Sequence, residues 1–385
     1  MRGVIVLVLA LVSSGCFGSR RAAAPPLPPA PTLALIGQFA VPAQQRIPPV
    51  IGLPFGGISG LASTSANGTG SREFFGISDA QRGGRIYRFA LDDHGAPFRV
   101  QIRDPITLDA TGGDVQADFE GLGVLPNGNF LVAAEGTSRE PRRPPSIEEY
   151  SPDGALLTHL PVRDRYAPEP TGPVTRGARG NAGFESLAIA PGGGSFFTGV
   201  ETALIQDGDP ANFDRGTRIR LLEYKERKGT FQPAREFVYE IDRLERPSYA
   251  PGFFVNGLVE LLVIDSTTLL ALERGYVESS AEPGTGLNGI RLYRVSLKGA
   301  TDVSRLDSIK DRPEIVPVQK ALLLDVSKAT GLDGDLAPSL DNFEGMTFGP
   351  RLPDGRATII LVSDDNFSPR QRTWFLQFAI GSEAR

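Results

Sequence analysis

Short apolar segments separated by turn residues run along most of this chain, and helical periodicity is nearly absent. The segments are rich in Val, Ile, Leu and Phe and are bounded by Gly, Pro, Asn and Asp, which is typical of β-strands. Leu122–Leu125 and Phe130–Ala134 flank an Asn-Gly turn, and Leu187–Ala190 and Phe196–Val200 flank a glycine-rich turn. The pattern therefore predicts an all-β protein assembled from hairpins.

The hairpin recurs five times, at a spacing of roughly 60 to 85 residues, and each copy is followed by a third and usually a fourth apolar segment. The last copy lacks a fourth segment after Trp374–Ile380, and the N-terminal segment Leu33–Ala40 could supply it. This arrangement predicts a β-propeller of four-stranded blades whose ring is closed by the N-terminal strand. Five blades are counted, and the long stretches 163–183, 202–218 and 298–319 leave room for a sixth. A β-sandwich would also contain many short strands, but it would not explain the acidic residues that recur in each copy.

Those residues occupy two positions of the repeat, the start of its first strand and the end of its second. The first position is held by Ser59, Glu120, Glu185, Glu260 and Glu344, and the second by Asp79, Glu135, Glu201, Glu273 and Asp364. Both positions lie at the same end of an antiparallel hairpin, and the first strand of a propeller blade lines the central channel. We therefore expect the nine acids to converge at one mouth of the channel, with a gap at Ser59.

Carboxylates gathered in this way repel one another unless a cation lies between them. Hard oxygen ligands suit Ca²⁺, and Mg²⁺ or Mn²⁺ are the less favoured alternatives. The sequence thus predicts a calcium site formed by these nine acids. The alternative is that the acids cap strand ends and bind no ion.

Arginines lie close to the acids in the sequence, and four are candidates for substrate binding: Arg82, Arg139, Arg274 and Arg370. A cation together with guanidinium groups suits a phosphate or carboxylate ligand. The same arginines could instead pair with the acids and hold them in place. The sequence contains neither a nucleophile elbow nor a phosphate-binding Gly-Lys-Ser/Thr loop, so it assigns no catalytic residue.

The N-terminus is typical of a bacterial export signal. Arg2 precedes a short apolar run, and Ser13-Ser14-Gly15 leads to Cys16, the only cysteine of the chain. We expect a lipoprotein signal over residues 1–15, lipidation of Cys16, a flexible Ala/Pro-rich tether over residues 16–32 and a propeller domain over residues 33–385. An ordinary signal peptide with an incidental cysteine is the alternative. The domain would then lie in the cell envelope, anchored to a membrane and facing the periplasm or the exterior.

The charge and the single cysteine exclude several classes of protein. Without Arg2 the chain has 39 Lys and Arg against 45 Asp and Glu, so its formal charge is −6 and it offers no basic stripe for nucleic acid. One cysteine excludes an intramolecular disulfide. We expect a monomer, and the family resemblance described next implies a small phosphoester or ester substrate.

Five motifs in order resemble the bacterial phytase-like domain, a family described by the esterase-like activity of phytase. They are "GISGL…GISDA", "DFEGLGVLPNGNFLVAAEG", "NAGFESLAIAPGGGSFFTGVE", "NGLVELLVIDSTTLLALERGY" and "NFEGMTFGP…IILVSDDNF". The resemblance extends from Leu33 to Ile380 and implies a propeller, with six blades suggested, whose repeated acids support calcium-dependent phosphoester chemistry. The chain departs from this pattern at Ser59, and it has no lysine-rich cluster of the kind that inositol hexakisphosphate requires.

Three functions follow from these observations. The first is an envelope-anchored, Ca²⁺-dependent phosphoesterase acting at the acidic channel mouth. The second is a metal-dependent lactonase or carboxylesterase. The third is a non-catalytic propeller that binds a ligand or protein and uses calcium structurally, because fold alone does not establish activity.

Overall fold

A computed structural model describes residues 27, 31–41, 55–64, 72–80, 83–92, 98–109, 118–337 and 339–383. The proposed signal 1–15, Cys16, most of the tether and Arg82 lie outside these residues. Twenty strands in the described part form five antiparallel sheets of four strands each. No helix in these ranges is long and apolar enough to cross a bilayer.

Each sheet is one blade of a propeller. The chain begins with β1 (Pro31–Ala40), and blade 1 then contains β2 (Ile58–Ser63), β3 (Phe74–Ser78), β4 (Arg85–Asp92) and β5 (Arg99–Thr107). Blade 2 contains β6 (Phe119–Val124), β7 (Phe130–Ala134), β8 (Ser146–Tyr150) and β9 (Leu156–His159). Blade 3 contains β10 (Phe184–Ile189), β11 (Ser195–Val200), β12 (Thr217–Arg227) and β13 (Thr230–Ile241). Blade 4 contains β14 (Pro251–Asp265), β15 (Thr268–Ser279), β16 (Glu282–Ser296) and β17 (Gln319–Asp325). Blade 5 contains β18 (Asn342–Phe348), β19 (Thr358–Asp364) and β20 (Trp374–Glu383).

The N-terminal strand completes blade 5, as the sequence predicts. β1 pairs antiparallel with β20, with Leu35 opposite Phe378 and Phe39 opposite Phe375. Joining the two ends of the chain in one sheet closes the ring without leaving a blade incomplete.

The five-blade count is confirmed, and the described residues form no sixth blade. The stretches that could have supplied it are loops apart from the ends of β12 and β17 and one short 3₁₀ helix, Asp164–Tyr166. Residues 298–318 pack over blade 3, where Val303 and Ile309 are buried against Val238. The buried Arg220 fixes this loop, because its guanidinium donates to Leu306 O at 3.0 Å and pairs with Asp207 at 2.6 Å.

The first strands of the blades, β2, β6, β10, β14 and β18, contact one another in a closed ring around the axis. Their close approach requires small residues at one position. A Cβ on Gly60 would lie 2.3 Å from the carbonyl oxygen of Glu120, and one on Gly345 would lie 3.0 Å from the Leu61 nitrogen. Gly60, Gly121, Ser186 and Gly345 hold this position in four blades.

Glu260 holds it in blade 4, and its carboxylate is completely buried among the inner strands. Its Oε1 accepts the Leu261 N–H at 2.9 Å and the Leu187 N–H at 3.3 Å. Burial raises the pKa of Glu260 well above its usual range, although the backbone amides of Leu61 and Met346 act with those two in the opposite direction. One carboxylate therefore links inner strands of several blades.

Candidate functional site

Strand register brings the strand-opening and strand-ending acids together at one end of blades 2, 3 and 5. Phe119 lies opposite Ala134, and Phe184 lies opposite Val200, so that Glu135 and Glu201 follow directly after the last pair of their hairpins. The amide of Glu135 donates to Asp118 O at 3.1 Å, which extends the ladder by one step. The strand-opening and strand-ending acids of one blade therefore lie side by side, as the sequence predicts.

These side chains line one cavity of about 980 Å³ at the end of the channel. Its acidic residues are Asp79, Asp118, Glu120, Glu135, Glu185, Glu201, Asp335, Asp341, Glu344 and Asp364. We call this space the acidic cavity. It contains seven of the nine acids predicted from the sequence.

Blade 4 differs from the expected register by one residue. Leu258 lies opposite Glu273, which makes Val259 the equivalent of Glu120 and Arg274 the equivalent of Glu135. Glu260 and Glu273 therefore do not reach the acidic cavity. Glu260 lies among the inner strands, and the Glu273 carboxylate accepts the Tyr239 hydroxyl at 2.7 Å.

An arginine thus takes the place of the fifth strand-ending acid. Arg274 Nη2 lies 2.9 Å from Glu344 Oε1 and 3.4 Å from Glu201 Oε1. These carboxylates raise the pKa of Arg274, so it remains charged. Arg274 lines the acidic cavity but pairs with two of its carboxylates. The sequence left open this alternative, in which an arginine holds the acids in place and does not bind substrate.

Two groups of three carboxylates could each hold a cation, and they share Glu135. One group is Asp118, Glu120 and Glu135, and the other is Glu135, Glu185 and Glu201; within each group the oxygen atoms lie within 4.8 Å of one another. Glu135 Oε2 is buried and has no hydrogen-bond partner among the described residues. A set of carboxylate oxygens with an unpartnered buried member fits a hard divalent cation such as Ca²⁺.

Asp118 was not among the predicted residues, although its position in the repeat identifies it. It stands two residues before Glu120, and Asn342 stands two residues before Glu344. The same position is Gly57 in blade 1 and Gly183 in blade 3. A Cβ on Gly183 would lie 2.0 Å from Glu135 O, so the glycine gives space to the neighbouring blade. A polar residue at this position is therefore the signal for a further ligand.

Burial raises the pKa of the seven predicted acids in the cavity and of Asp118, and neighbouring negative charges add to the effect at all of these except Asp118 and Glu344. The pKa of Asp79 rises to about 7, and that of Glu135 rises to about 8. Arg274 partly offsets the rise for Glu201 and Glu344. Arg143 does the same for Asp118. The pKa values of Glu120, Glu185 and Asp364 are raised well above their usual range.

We expect the metal-free protein to lose stability as the pH rises from 5 to about 8.5. An unfolded chain releases the protons of these carboxyl groups near pH 4, whereas the fold retains them up to about pH 7 at Asp79 and about pH 8 at Glu135. The folded state therefore binds more protons throughout this window, and its free energy of unfolding falls with pH. Melting temperatures recorded in chelator across the window should decline, and saturating calcium should reduce the decline. A melting temperature that rises steadily with pH in chelator would contradict this expectation.

Three of the four candidate substrate-binding arginines lie among the described residues, and they occupy different places; Arg82 lies outside these residues. Arg274 and Arg370 line the acidic cavity, together with Arg372. Arg139 is exposed after β7 and does not line it. Arg372 pairs with Asp335 at 2.7 Å, whereas the Arg370 guanidinium makes no hydrogen bond or ion pair with another described residue. Arg370 is therefore the cavity arginine whose charge is available to a ligand.

A family model described as "Phytase-like: Esterase-like activity of phytase" matches residues 53–367. The chain belongs to the phytase-like family. The match includes all five copies of the repeat in this phytase-like protein and every acid of its cavity. No curated protein matches the sequence.

Solved structures similar to the phytase-like protein cover most of its length at low identity. A glycosyl hydrolase from Bacteroides ovatus is 10% identical, covers 91% of this chain and 90% of its own, and has a TM-score of 0.42. An α-L-arabinanase from Penicillium chrysogenum is 12% identical, covers 86% and 80%, and has a TM-score of 0.38. The periplasmic gluconolactonase of Pseudomonas aeruginosa is 14% identical, covers 85% and 87%, and has a TM-score of 0.32. At such values the similarity carries no argument about activity.

Proposed function

We propose that the protein is a Ca²⁺-dependent phosphoesterase that acts in the acidic cavity. The observation that carries the proposal is the pair of carboxylate groups sharing Glu135 in a chain of the phytase-like family. Asp118, Glu120, Glu135, Glu185 and Glu201 would hold the cation. When bound, it would act as a Lewis acid on a phosphoryl oxygen and lower the pKa of a bound water.

The residues of the chain provide the remaining parts of such a site. Arg370 has a free guanidinium at the cavity wall and would hold a phosphoryl oxygen through paired hydrogen bonds. Arg274 holds Glu201 and Glu344 in place and acts as a positioning residue. Asp79 of blade 1 and Asp364 of blade 5 line the cavity side by side, and burial raises the pKa of both. The pKa of Asp79 rises to about 7, so this carboxyl group would exchange a proton near neutral pH.

A metal-dependent carboxylesterase or lactonase is the second candidate. The family description names an esterase-like activity. The same cavity could polarise a carbonyl oxygen in place of a phosphoryl oxygen. The two candidates differ in substrate and share the predicted cation site.

Hydrolysis is measured in chelator and in excess Ca²⁺ on both classes of substrate. The metal dependence tests the cation site, and the substrate class distinguishes the two functions. We expect cleavage of phosphomonoesters that is lost in chelator, restored by Ca²⁺ and restored less well by Mg²⁺ or Mn²⁺. A parallel panel of lactones and carboxylic esters tests the second candidate. Glu120→Gln and Glu185→Gln should lower activity at least a hundred-fold if each removes a metal ligand, whereas Glu240→Gln on the exposed face of β13 is the control. Activity that resists chelation, or that survives both substitutions, would exclude this site.

We further propose that the protein is exported and held at a membrane through lipidated Cys16, as its N-terminal sequence suggests. A tethered domain would encounter its substrate in the cell envelope. Cys16→Ser should move the protein from the membrane fraction to the soluble fraction, and unchanged fractionation would exclude the anchor.

A further inference from the structure

One wall of the acidic cavity carries two neighbouring aromatic rings, whereas most of the remaining lining is polar and Trp374, which also lines the cavity, is buried. Phe253 near the start of β14 lines the cavity, yet 62% of its surface is exposed, the largest exposure among the large apolar residues described. Tyr276 on β15 lines the same wall, with its ring centroid 6.4 Å from that of Phe253. A large apolar ring open to solvent inside a polar cavity is a feature that a ligand can cover.

The wall is built by an extension of blade 4. β14, β15 and β16 have 15, 12 and 15 residues, whereas the first two strands of the other blades have five to seven. Gly286 on β16 makes room for Tyr276, because a Cβ there would lie 2.6 Å from the tyrosine ring. The Glu278 carboxylate accepts the Gly284 N–H at 2.7 Å and the Phe253 N–H at 3.4 Å. The turn and the strand that carry the rings are therefore tied together.

A small apolar cluster supports the outer side of this extension. Val277 packs with Phe213 and Leu244, and the Phe254 ring lies 4.7 Å from that of Phe213. Phe253 and Phe254 thus point to opposite sides of one strand, as neighbouring residues of a strand do. Phe254 packs against Phe213 and holds the strand in place, and Phe253 faces the cavity.

The charge of the cavity indicates how a substrate gains affinity there. Among the residues that the structure describes, ten acids of the lining face three arginines, of which Arg274 and Arg372 are already paired, and no lysine. With all of its carboxyl groups ionised, as cation binding favours, the lining would stay negative even after two divalent cations had bound. A ligand carrying many phosphates would be repelled, so selectivity must come from the part of the substrate that is not phosphate.

We propose that the substrate is a phosphate monoester whose alcohol part carries an aromatic ring, and that Phe253 is the specificity-determining residue that stacks on this ring. The inference rests on the proposed function for the reaction, and on the blade 4 extension for the ring. Offset or edge-to-face packing against Phe253 would cover its exposed face, and Tyr276 would border the same ring.

The test compares benzyl phosphate with ethyl phosphate in calcium-loaded wild-type protein and in Phe253→Ala. Both substrates release a simple alcohol, so they differ mainly in the ring. We expect the ratio of kcat/KM values, benzyl over ethyl, to fall about five- to ten-fold in Phe253→Ala, mostly through KM, as loss of one aromatic contact predicts. Phe253→Tyr, which keeps an aromatic ring at this position, should keep the benzyl-over-ethyl ratio of the wild-type protein. Leu157→Ala, which truncates an exposed leucine on the outer strand β9, is the control and should leave the ratio unchanged.

Binding of phenylphosphonate and methylphosphonate, measured by calorimetry, separates this inference from the proposed function. If neither ester is hydrolysed but phenylphosphonate binds more tightly and loses that advantage in Phe253→Ala, the ring site stands and the phosphoesterase proposal fails. If the esters are hydrolysed but Phe253→Ala leaves the ratio unchanged, the phosphoesterase stands and the ring site is overturned. The ring site is also overturned if wild-type protein binds both phosphonates equally or binds neither. Unfolding curves for each variant verify that the exposed substitutions leave the fold intact.

Discussion

Glu135→Gln is expected to raise the stability of the metal-free protein and to abolish its stabilisation by calcium. Glu135 belongs to both carboxylate groups, and burial with like charges raises its pKa to about 8. At neutral pH the fold keeps this group protonated whereas the unfolded chain ionises it, and this difference costs the fold roughly 3 kcal/mol. Glutamine keeps the shape of the side chain without this cost, but it cannot supply the anionic ligand that both groups share.

The measurement is a pair of chemical unfolding curves, one in chelator and one in excess Ca²⁺. Wild-type protein should gain about 4 kcal/mol at a free calcium concentration a thousand times the Kd, whereas Glu135→Gln should gain almost nothing. The order of stability of the two proteins therefore reverses between the two conditions. Glu240→Gln, a half-exposed glutamate paired with Arg218, should follow wild type in both. An undiminished calcium effect in Glu135→Gln would show that the cation binds elsewhere.

Glu260→Ala is expected to destabilise the protein by about 3–5 kcal/mol without changing its affinity for calcium. The substitution leaves a void among the inner strands and removes the acceptor of the Leu187 and Leu261 amides. Because Glu260 is outside the acidic cavity, a surviving fold should retain its metal ligands.

Urea unfolding and calcium calorimetry on the same samples test both parts of this expectation. Glu240→Ala is the matched control, and it should change the free energy of unfolding by less than about 0.5 kcal/mol. A loss of calcium affinity in a folded Glu260→Ala protein would mean that Glu260 contributes to the cation site after all. A loss of stability no larger than that of the control would mean that the inner strands do not depend on this carboxylate.

The hairpin pattern of the sequence predicts the blades because each strand is short, apolar and bounded by turn residues. The closure through β1 was also predictable, since Leu33–Ala40 is the one apolar segment without a place in a complete copy. The side of the blade on which the acids converge follows from antiparallel pairing alone. These features depend on local pattern and on chain topology, which a sequence displays directly.

The register of blade 4 was harder to predict from the sequence, because an acid stands next to each of the two positions that are equivalent to Glu120 and Glu135. Glu260 follows Val259, and Glu273 precedes Arg274, so that choosing acids by type shifts both strands by one residue. The spacing within the repeat contains the correction. Val259 and Arg274 are 15 residues apart, as are Glu120 and Glu135, whereas Glu260 and Glu273 are 13 apart. Every blade has a register shift at this position, and in blade 4 the shift gives Glu260 the inward place that Ser186 and Gly345 hold in their blades.

The buried Glu260 carboxylate has a consequence for how a ligand enters and leaves the acidic cavity. It stands between the acidic cavity and a second pocket at the other end of the inner strands, which Leu61, Leu187 and Met346 line. We therefore expect the acidic cavity to open at one end only, so that a ligand enters and leaves through the same opening. If the proposed hydrolysis takes place there, the released product would leave past the entering substrate, and a long polymer could be bound only at an end or a loop that reaches in.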